Sequence, residues 1–163
     1  MINKDLEDNG KTIHALQDEW SSVISQKSTI EPGEYSKLYL ELAILPTDNN
    51  LVEIGLVEET VTDFLVRPST GIGYLSINFE DNQLYVDGVS VLTFSSFVLD
   101  TQQQPCIIQL SFDTQTRQLW IGYNNTYEGN ADPSTGTNET ILVTNVTTEL
   151  YASPYSAGSE ITS

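Results

Sequence analysis

Catalysis needs side chains that converge, and the reactive residue types in this 163-residue chain are few. There is one histidine, His14, and one cysteine, Cys106. A zinc site needs several thiolate or imidazole ligands, and a thiol nucleophile needs a base beside it, so this pair can build neither a zinc site nor a Cys-His couple. Cys106 follows Pro105 in the apolar run Cys106-Ile107-Ile108. There it reads as a buried, inert thiol, and as a single cysteine it rules out an intrachain disulfide. The carboxylate pairs Glu58-Glu59 and Glu80-Asp81 are adjacent in sequence. An acid–base pair requires carboxyl groups that converge with their pKa values split apart, and adjacency shows no such convergence. Gly71-Ile72-Gly73 lacks the third glycine and the following helix of a phosphate cradle. No Asp-x-Asp-x-Asn-Gly calcium loop occurs, and Asp81-Asn82 and Asp87 read as turn formers. The expectation is a chain that is not an enzyme, with no cofactor and no metal.

What remains is the chemistry of binding. Trp120 is either a stacking platform for a sugar or a packed ring facing a second sheet. Tyr123, Tyr127, Tyr151 and Tyr155 cluster late in the chain, and tyrosine is enriched at interfaces because one end is apolar and the other wet. Between them runs a polar segment, residues 125–139, rich in Gly, Asn and Thr and carrying Asp132. Loops of this length in compact domains are functional or disordered, so this one is expected to be a contact element. The candidate partner-binding residues are therefore Trp120, Tyr123, Tyr127, Asp132, Tyr151 and Tyr155. With 23 acidic residues against 6 basic ones the net charge is −17. Such a surface repels phosphate backbones and anionic lipid, which argues against nucleic acid and membrane; it reads as a solubility device, or more sharply as a face for a basic partner surface or for divalent cations.

The elements that must position these residues have a period of two. Leu38, Leu40, Leu42 and Ile44 alternate with Tyr39, Glu41 and Ala43. Val52, Ile54 and Leu56 alternate with Glu53 and Gly55. Leu75, Ile77 and Phe79 alternate with Tyr74, Ser76 and Asn78. Ile108, Leu110 and Phe112 alternate with Ile107, Gln109 and Ser111, and Leu119, Ile121 and Tyr123 with Gln118, Trp120 and Gly122. Such alternation belongs to antiparallel sheets with one buried face. Asp87-Gly88 between two short apolar runs predicts a tight hairpin, and Asp113–Arg117 a second one. Many short strands separated by turns predict an all-β, antiparallel two-sheet sandwich. Its core is expected at Leu38, Leu40, Leu42, Ile54, Leu75, Ile77, Phe79, Ile108, Leu110, Phe112, Leu119 and Ile121. Ile13, Leu16 and Trp20 have helical spacing, but Asn9-Gly10 interrupts just before them, so a short helix or a strand is expected there. Residues 1–10 read as a flexible arm and 11–163 as one domain. Met1-Ile2-Asn3-Lys4-Asp5 opens no apolar signal core, and no apolar run reaches membrane-spanning length. Asn-x-Thr sequons at Asn124, Asn138 and Asn145 read as products of an Asn/Thr-rich composition.

These residues, in this order, resemble a SPRY domain. Glu31-Pro32-Gly33-Glu34-Tyr35-Ser36-Lys37-Leu38-Tyr39-Leu40-Glu41-Leu42 is similar to its early turn and Tyr-x-Glu strand, and Glu53-Ile54-Gly55-Leu56-Val57 to the strand that follows. Ile107 to Asn124, with Asp113 at its turn and Leu119-Trp120-Ile121 after it, resembles the family's later hairpin. Leu119-Trp120-Ile121-Gly122 followed by Gly129-Asn130-Ala131-Asp132-Pro133-Ser134-Thr135-Gly136-Thr137 resembles SPRY-like domains of bacteriophage virion proteins. The resemblance spans roughly residues 20–162. It implies a concanavalin-like sandwich acting without catalysis as a virion structural protein, on the capsid surface or in the tail or fibre. The implied partners are other virion proteins, with several copies of the chain on each particle and a homo-oligomer as one arrangement. The implied location is the virion, assembled in the host cytoplasm. The alternative is a receptor-binding module recognising a host surface glycan or protein. The chain departs from the pattern at two places. Asn124-Asn125 stands where Asn-Gly is expected, which predicts a different turn, and Glu160-Ile161-Thr162-Ser163 stops where the family's last strand runs on. The second departure predicts either a short last strand or an open sheet edge, which another segment of this chain covers or which a neighbouring chain completes by strand addition.

Overall fold

The computed structural model describes residues 4–7, 12–15, 23–24, 37–45, 52–58, 60–100, 106–144, 148–154 and 160–162. Their strands are β1 (Lys4–Glu7), β2 (Thr12–Ala15), β3 (Val23–Ile24), β4 (Lys37–Leu45), β5 (Val52–Glu58), β6 (Tyr74–Asn78), β7 (Gln83–Val86), β8 (Val89–Thr93), β9 (Cys106–Asp113), β10 (Gln118–Tyr123), β11 (Thr126–Tyr127), β12 (Ile141–Leu142), β13 (Thr148–Pro154) and β14 (Glu160–Thr162). They form two antiparallel sheets. The larger runs β1-β2-β14-β4-β9-β10-β11, with β12 also against β10, and the smaller runs β3-β13-β5-β6-β7-β8.

Register follows from the alternation. Leu40 stands opposite Leu110, and Leu110 opposite Ile121, so one face of three neighbouring strands is aliphatic. Ile54, Ile77 and Leu84 make the equivalent row on the smaller sheet. These rows meet in one core that also takes in Ile44, Leu56, Phe79, Ile108, Phe112, Leu119 and Ile161. Of the residues expected in that core, Leu38 and Leu40 are only partly buried against it; the other ten are buried. Burying one such aliphatic side chain is worth about 1.5–3 kcal/mol. Cys106 lies in this core as a free thiol, and burial pushes its pKa up to about 12.

The turns use asparagine and aspartate where the backbone must be left-handed. Asp87 and Gly88 have φ of 52° and 78°, the values of the tight hairpin expected there. Asp113 accepts the amides of Gln115 and Thr116, and Arg117 closes that second hairpin with φ 65°. Asn124 and Asn125 have φ of 46° and 66°, so Asn125 adopts the backbone that glycine was expected to supply, and the tight two-residue turn forms all the same. Asn82, Asn130 and Asn138 are left-handed as well. Asparagine tolerates this region because its short side chain bonds locally, which gives the Asn-rich composition a structural reason.

Two expectations about the ends are corrected. Residues 4–7 of the expected arm form β1, hydrogen-bonded to β2 at the edge of the larger sheet. Residues 12–15 extend this pairing as a strand, the second of the two elements expected there. The segment 160–162 leaves no open edge, because β14 lies inside the larger sheet with β2 on one side and β4 on the other. Strand addition at that position is therefore ruled out.

Candidate functional site

A two-sheet sandwich has two outer faces, and here long loops cover both. On the smaller sheet, residues 60–73 cross over β5 and β6. Val57 and Tyr74 point outward and pack with Val61, Phe64 and Val66 from that loop. Beside them Glu53 is fully buried. Its Oε1 accepts Arg67 Nε at 2.7 Å and Ser69 Oγ at 2.7 Å, and its Oε2 accepts the Ser69 amide at 2.6 Å and Ser76 Oγ at 2.8 Å. Arg67 also reaches Glu80. Burial by itself would lower the Arg67 pKa, but these carboxylates outweigh it and leave it raised. Every lone pair that this carboxylate would otherwise leave unsatisfied has a partner, so this face is sealed.

On the larger sheet the outer rows are Lys37-Asp113-Gln118, Tyr39-Ser111-Trp120 and Glu41-Gln109-Gly122. Tyr127 of β11 stands opposite Gly122. A Cβ on Gly122 would meet the Tyr127 ring at 3.2 Å and Gln109 Oε1 at 3.1 Å, so glycine lets the ring come close to the sheet. Ser111 Oγ and Tyr127 OH are then hydrogen-bonded at 3.0 Å. The segment 131–137 crosses over Trp120, whose Nε1 donates to Thr137 O at 3.0 Å. Asp132 shapes that segment by accepting the Ser134 amide and hydroxyl at 2.9 and 2.6 Å. The ladder gap on β10 between β11 and β12 is filled by Thr140, whose hydroxyl accepts the Ile121 amide at 3.0 Å. The loop is anchored at its start by Glu128, a buried carboxylate that accepts the amides of Ser95 and Ser96.

The cover is incomplete. Between the 131–137 segment and β4 an open groove of about 230 Å³ remains, lined by Lys37, Tyr39, Ser111, Asp113, Trp120, Pro133 and Ser134. Tyr39 is 60% exposed and hydrogen-bonds to Glu41, which raises its pKa above the ordinary value. The Thr116 amide holds the Asp113 carboxyl below the ordinary carboxylate range, against slight burial. The Ser134 hydroxyl does the same for Asp132. Both groups are therefore anionic at neutral pH. The site is an aromatic and carboxylate surface with Lys37 as the cation among its lining residues. His14 lies in β2, which β14 and β4 separate from β9. Among the described residues no group of three His, Cys, Asp or Glu could hold a metal ion, and no helix is long and apolar enough to cross a membrane.

Of the candidate residues named from sequence, Trp120, Tyr127 and Asp132 come together at this face. Trp120 is its floor at 2% exposure, so its ring faces neither solvent nor the second sheet but the loop above it. Tyr123 is corrected outright as a contact residue. It points into the sandwich by strand parity, is 7% exposed, stacks on Phe97 at 5.6 Å and donates to Asp100 O at 2.6 Å. Burial pushes its pKa up to about 12. Tyr151 lies in β13 opposite Gly55, in the other sheet, and Tyr155 lies outside the described residues. Sequence reasoning missed Tyr39, although it had placed Tyr39 on the non-core face of its strand. It also missed Glu53 and Glu128, whose partners are 14 or more residues away in sequence.

No protein-family model matches this sequence. No curated protein matches it either. Solved structures do. The chain is similar to the SPRY domain of human HERC1, with 17% identity, a TM-score of 0.70, and 98% of this chain and 92% of that one covered. It is similar to another human SPRY domain at 14% identity and TM-score 0.71, covering 98% and 93%. It is similar to the PSpry domain of TRIM65 at 12% identity and TM-score 0.65, covering 98% and 84%. The fold is that of SPRY domains.

Proposed function

We propose that the chain is a non-catalytic docking module whose groove on the outer face of the larger sheet receives a basic, extended segment of a partner protein. The observation that carries this reading is the exposed Tyr39 ring, hydrogen-bonded to Glu41, beside a Trp120-floored groove that the Asp113 carboxylate lines. An aromatic face next to carboxylates favours Lys or Arg side chains, by cation–π attraction and by charge. The net charge of −17 adds long-range attraction for the same partner. The resemblance of residues 119–137 to phage SPRY-like domains supports a finer reading, in which the partner is another virion protein and several copies decorate one particle. The alternative reading, a host glycan or protein receptor, would use the same Tyr39 ring.

The test is binding to an immobilised library of extended peptides and, in parallel, to a glycan array. Basic peptides are expected to be retained, and Tyr39→Ala should weaken them by about tenfold or more while the melting temperature stays unchanged. Retention of glycans instead would favour the receptor reading. Retention that Tyr39→Ala leaves unchanged would remove the groove from the account. Particles assembled without this chain should take it up, and take up the Tyr39→Ala variant less, if the virion reading holds.

A further inference from the structure

The described sheet edges are treated unequally. In the larger sheet β1 carries Lys4, Asp5 and Glu7 among its four residues. At the opposite edge β11 and β12 are two residues each. In the smaller sheet β3 is two residues long. Charge and shortness are the usual ways in which an edge is protected from pairing with another chain. The fourth edge, β8, has neither. It is five residues long, Val89-Ser90-Val91-Leu92-Thr93, with no charge and no proline. Val89 and Val91 are 62% and 49% exposed. Its one protective device is a register shift against β7.

The strand is also held at both ends. At one end Asp87 N donates to Tyr74 O at 2.9 Å, Asp87 Oδ1 accepts the Gly73 amide at 2.8 Å, and a Cβ on Gly88 would stand 3.2 Å from Thr70 O. At the other end Phe94 and Asn82 exchange hydrogen bonds, Phe94 N to Asn82 O and Asn82 Nδ2 to Phe94 O, each 3.1 Å. Among the described residues β8 pairs only with β7. Its free side is therefore a preorganised template, and a strand docking there loses little of its gain to ordering β8.

We propose that β8 is a strand-addition site for an extended segment of another protein, with a β-branched, uncharged centre and Lys or Arg at its flanks. The uncharged centre matches Val89 to Thr93. The basic flanks match two exposed acids near the ends of the β7–β8 hairpin, Asp87 at its tip and Asp81 in the turn that leads into β7. A second copy of this chain is the wrong occupant, because it would bring −17 against −17 and acids against acids. This site is separate from the groove on the larger sheet and stands or falls independently of it.

The test uses the full chain and a synthetic peptide of alternating valine and threonine with two lysines at each end. Hydrogen exchange of the Val89–Thr93 amides is expected to slow by about tenfold or more when the peptide is bound. Val91→Lys, at an exposed position, should abolish this protection, and Val91→Thr should preserve it. Tyr39→Ala should leave it untouched, which separates this site from the groove. Absence of peptide binding would overturn the proposal. So would protection that Val91→Lys leaves intact, or equal binding of a peptide with proline at its centre, since either would mean charge attraction without strand pairing. A concentration-dependent dimer in sedimentation that Val91→Lys dissolves would also overturn it, in favour of a second copy.

Discussion

The outer faces of the two sheets meet the same problem with different chemistry. On the smaller sheet, the 60–73 loop closes with an apolar patch around Tyr74 and a fully bonded Glu53. On the larger sheet, the 131–137 segment rests on Trp120 through a bond to one carbonyl and leaves Tyr39 in the open. A buried carboxylate with four donors fixes a loop in one position, because any shift leaves a charge unpaired in a low dielectric. A single indole N–H to a carbonyl on an exposed residue constrains the loop far less, since water can replace it. The sealed face stabilises the fold, and the open face is the one with room for a partner.

Three substitutions sharpen or break this contrast. The largest effect is expected on the sealed side. Glu53→Ala removes one of the two carboxylate partners of Arg67 and the acceptor of the Ser69 amide and hydroxyl and of the Ser76 hydroxyl, and should destabilise the fold by about 3–5 kcal/mol in urea unfolding. A loss below about 1 kcal/mol would mean that the 60–73 loop is held by its apolar contacts alone. On the open side, Trp120→Phe removes the Nε1 bond to Thr137 while keeping most of the ring. It should cost about 1 kcal/mol and speed hydrogen exchange in residues 132–137 while leaving residues 60–73 unchanged. An effect as large as that of Glu53→Ala would erase the distinction between the two faces.

The smallest effect is a matter of pH. Asp113 has its carboxyl pKa depressed by the Thr116 amide, so below its ordinary value the unfolded chain binds the proton first. Its contribution is present above the unfolded pKa of about 4 and is lost as pH falls through the lower folded value. Asp113→Asn should therefore flatten the fall of the urea midpoint between neutral and acid pH. An acid limb parallel to that of the parent chain would show that the Gln115 and Thr116 bonds add no net preference for the anion.

Much of this architecture is legible residue by residue. The alternation from Leu38 to Ile44 and from Leu119 to Tyr123 assigned each side chain to a face because strand geometry has a period of two, whatever surrounds it. Trp120 was accordingly placed opposite Leu119 and Ile121, and Tyr123 with them, from spacing alone. The Asp87-Gly88 hairpin was equally readable, since left-handed backbone is a local property. Parity, however, says which side of a sheet a residue occupies, not what lies over it. Tyr123 read as interface and Trp120 as platform or inter-sheet packing because nothing local reports that Phe97 and Asp100 cover the first and the 131–137 segment the second.

By itself the sequence determined the all-β class, the strand faces, the turn positions and the acidic charge balance, because composition and short-range stereochemistry act within a few residues. Only the tertiary structure decided that Glu53 and Glu128 are buried anchors, that β14 sits between β2 and β4, that Tyr39 opens onto a groove, and that β8 is the long uncharged edge. Each of these depends on contacts between segments far apart in the chain. Burial, pairing and edge position arise only when the sheets close on each other, and no local pattern encodes which strand will end up outermost.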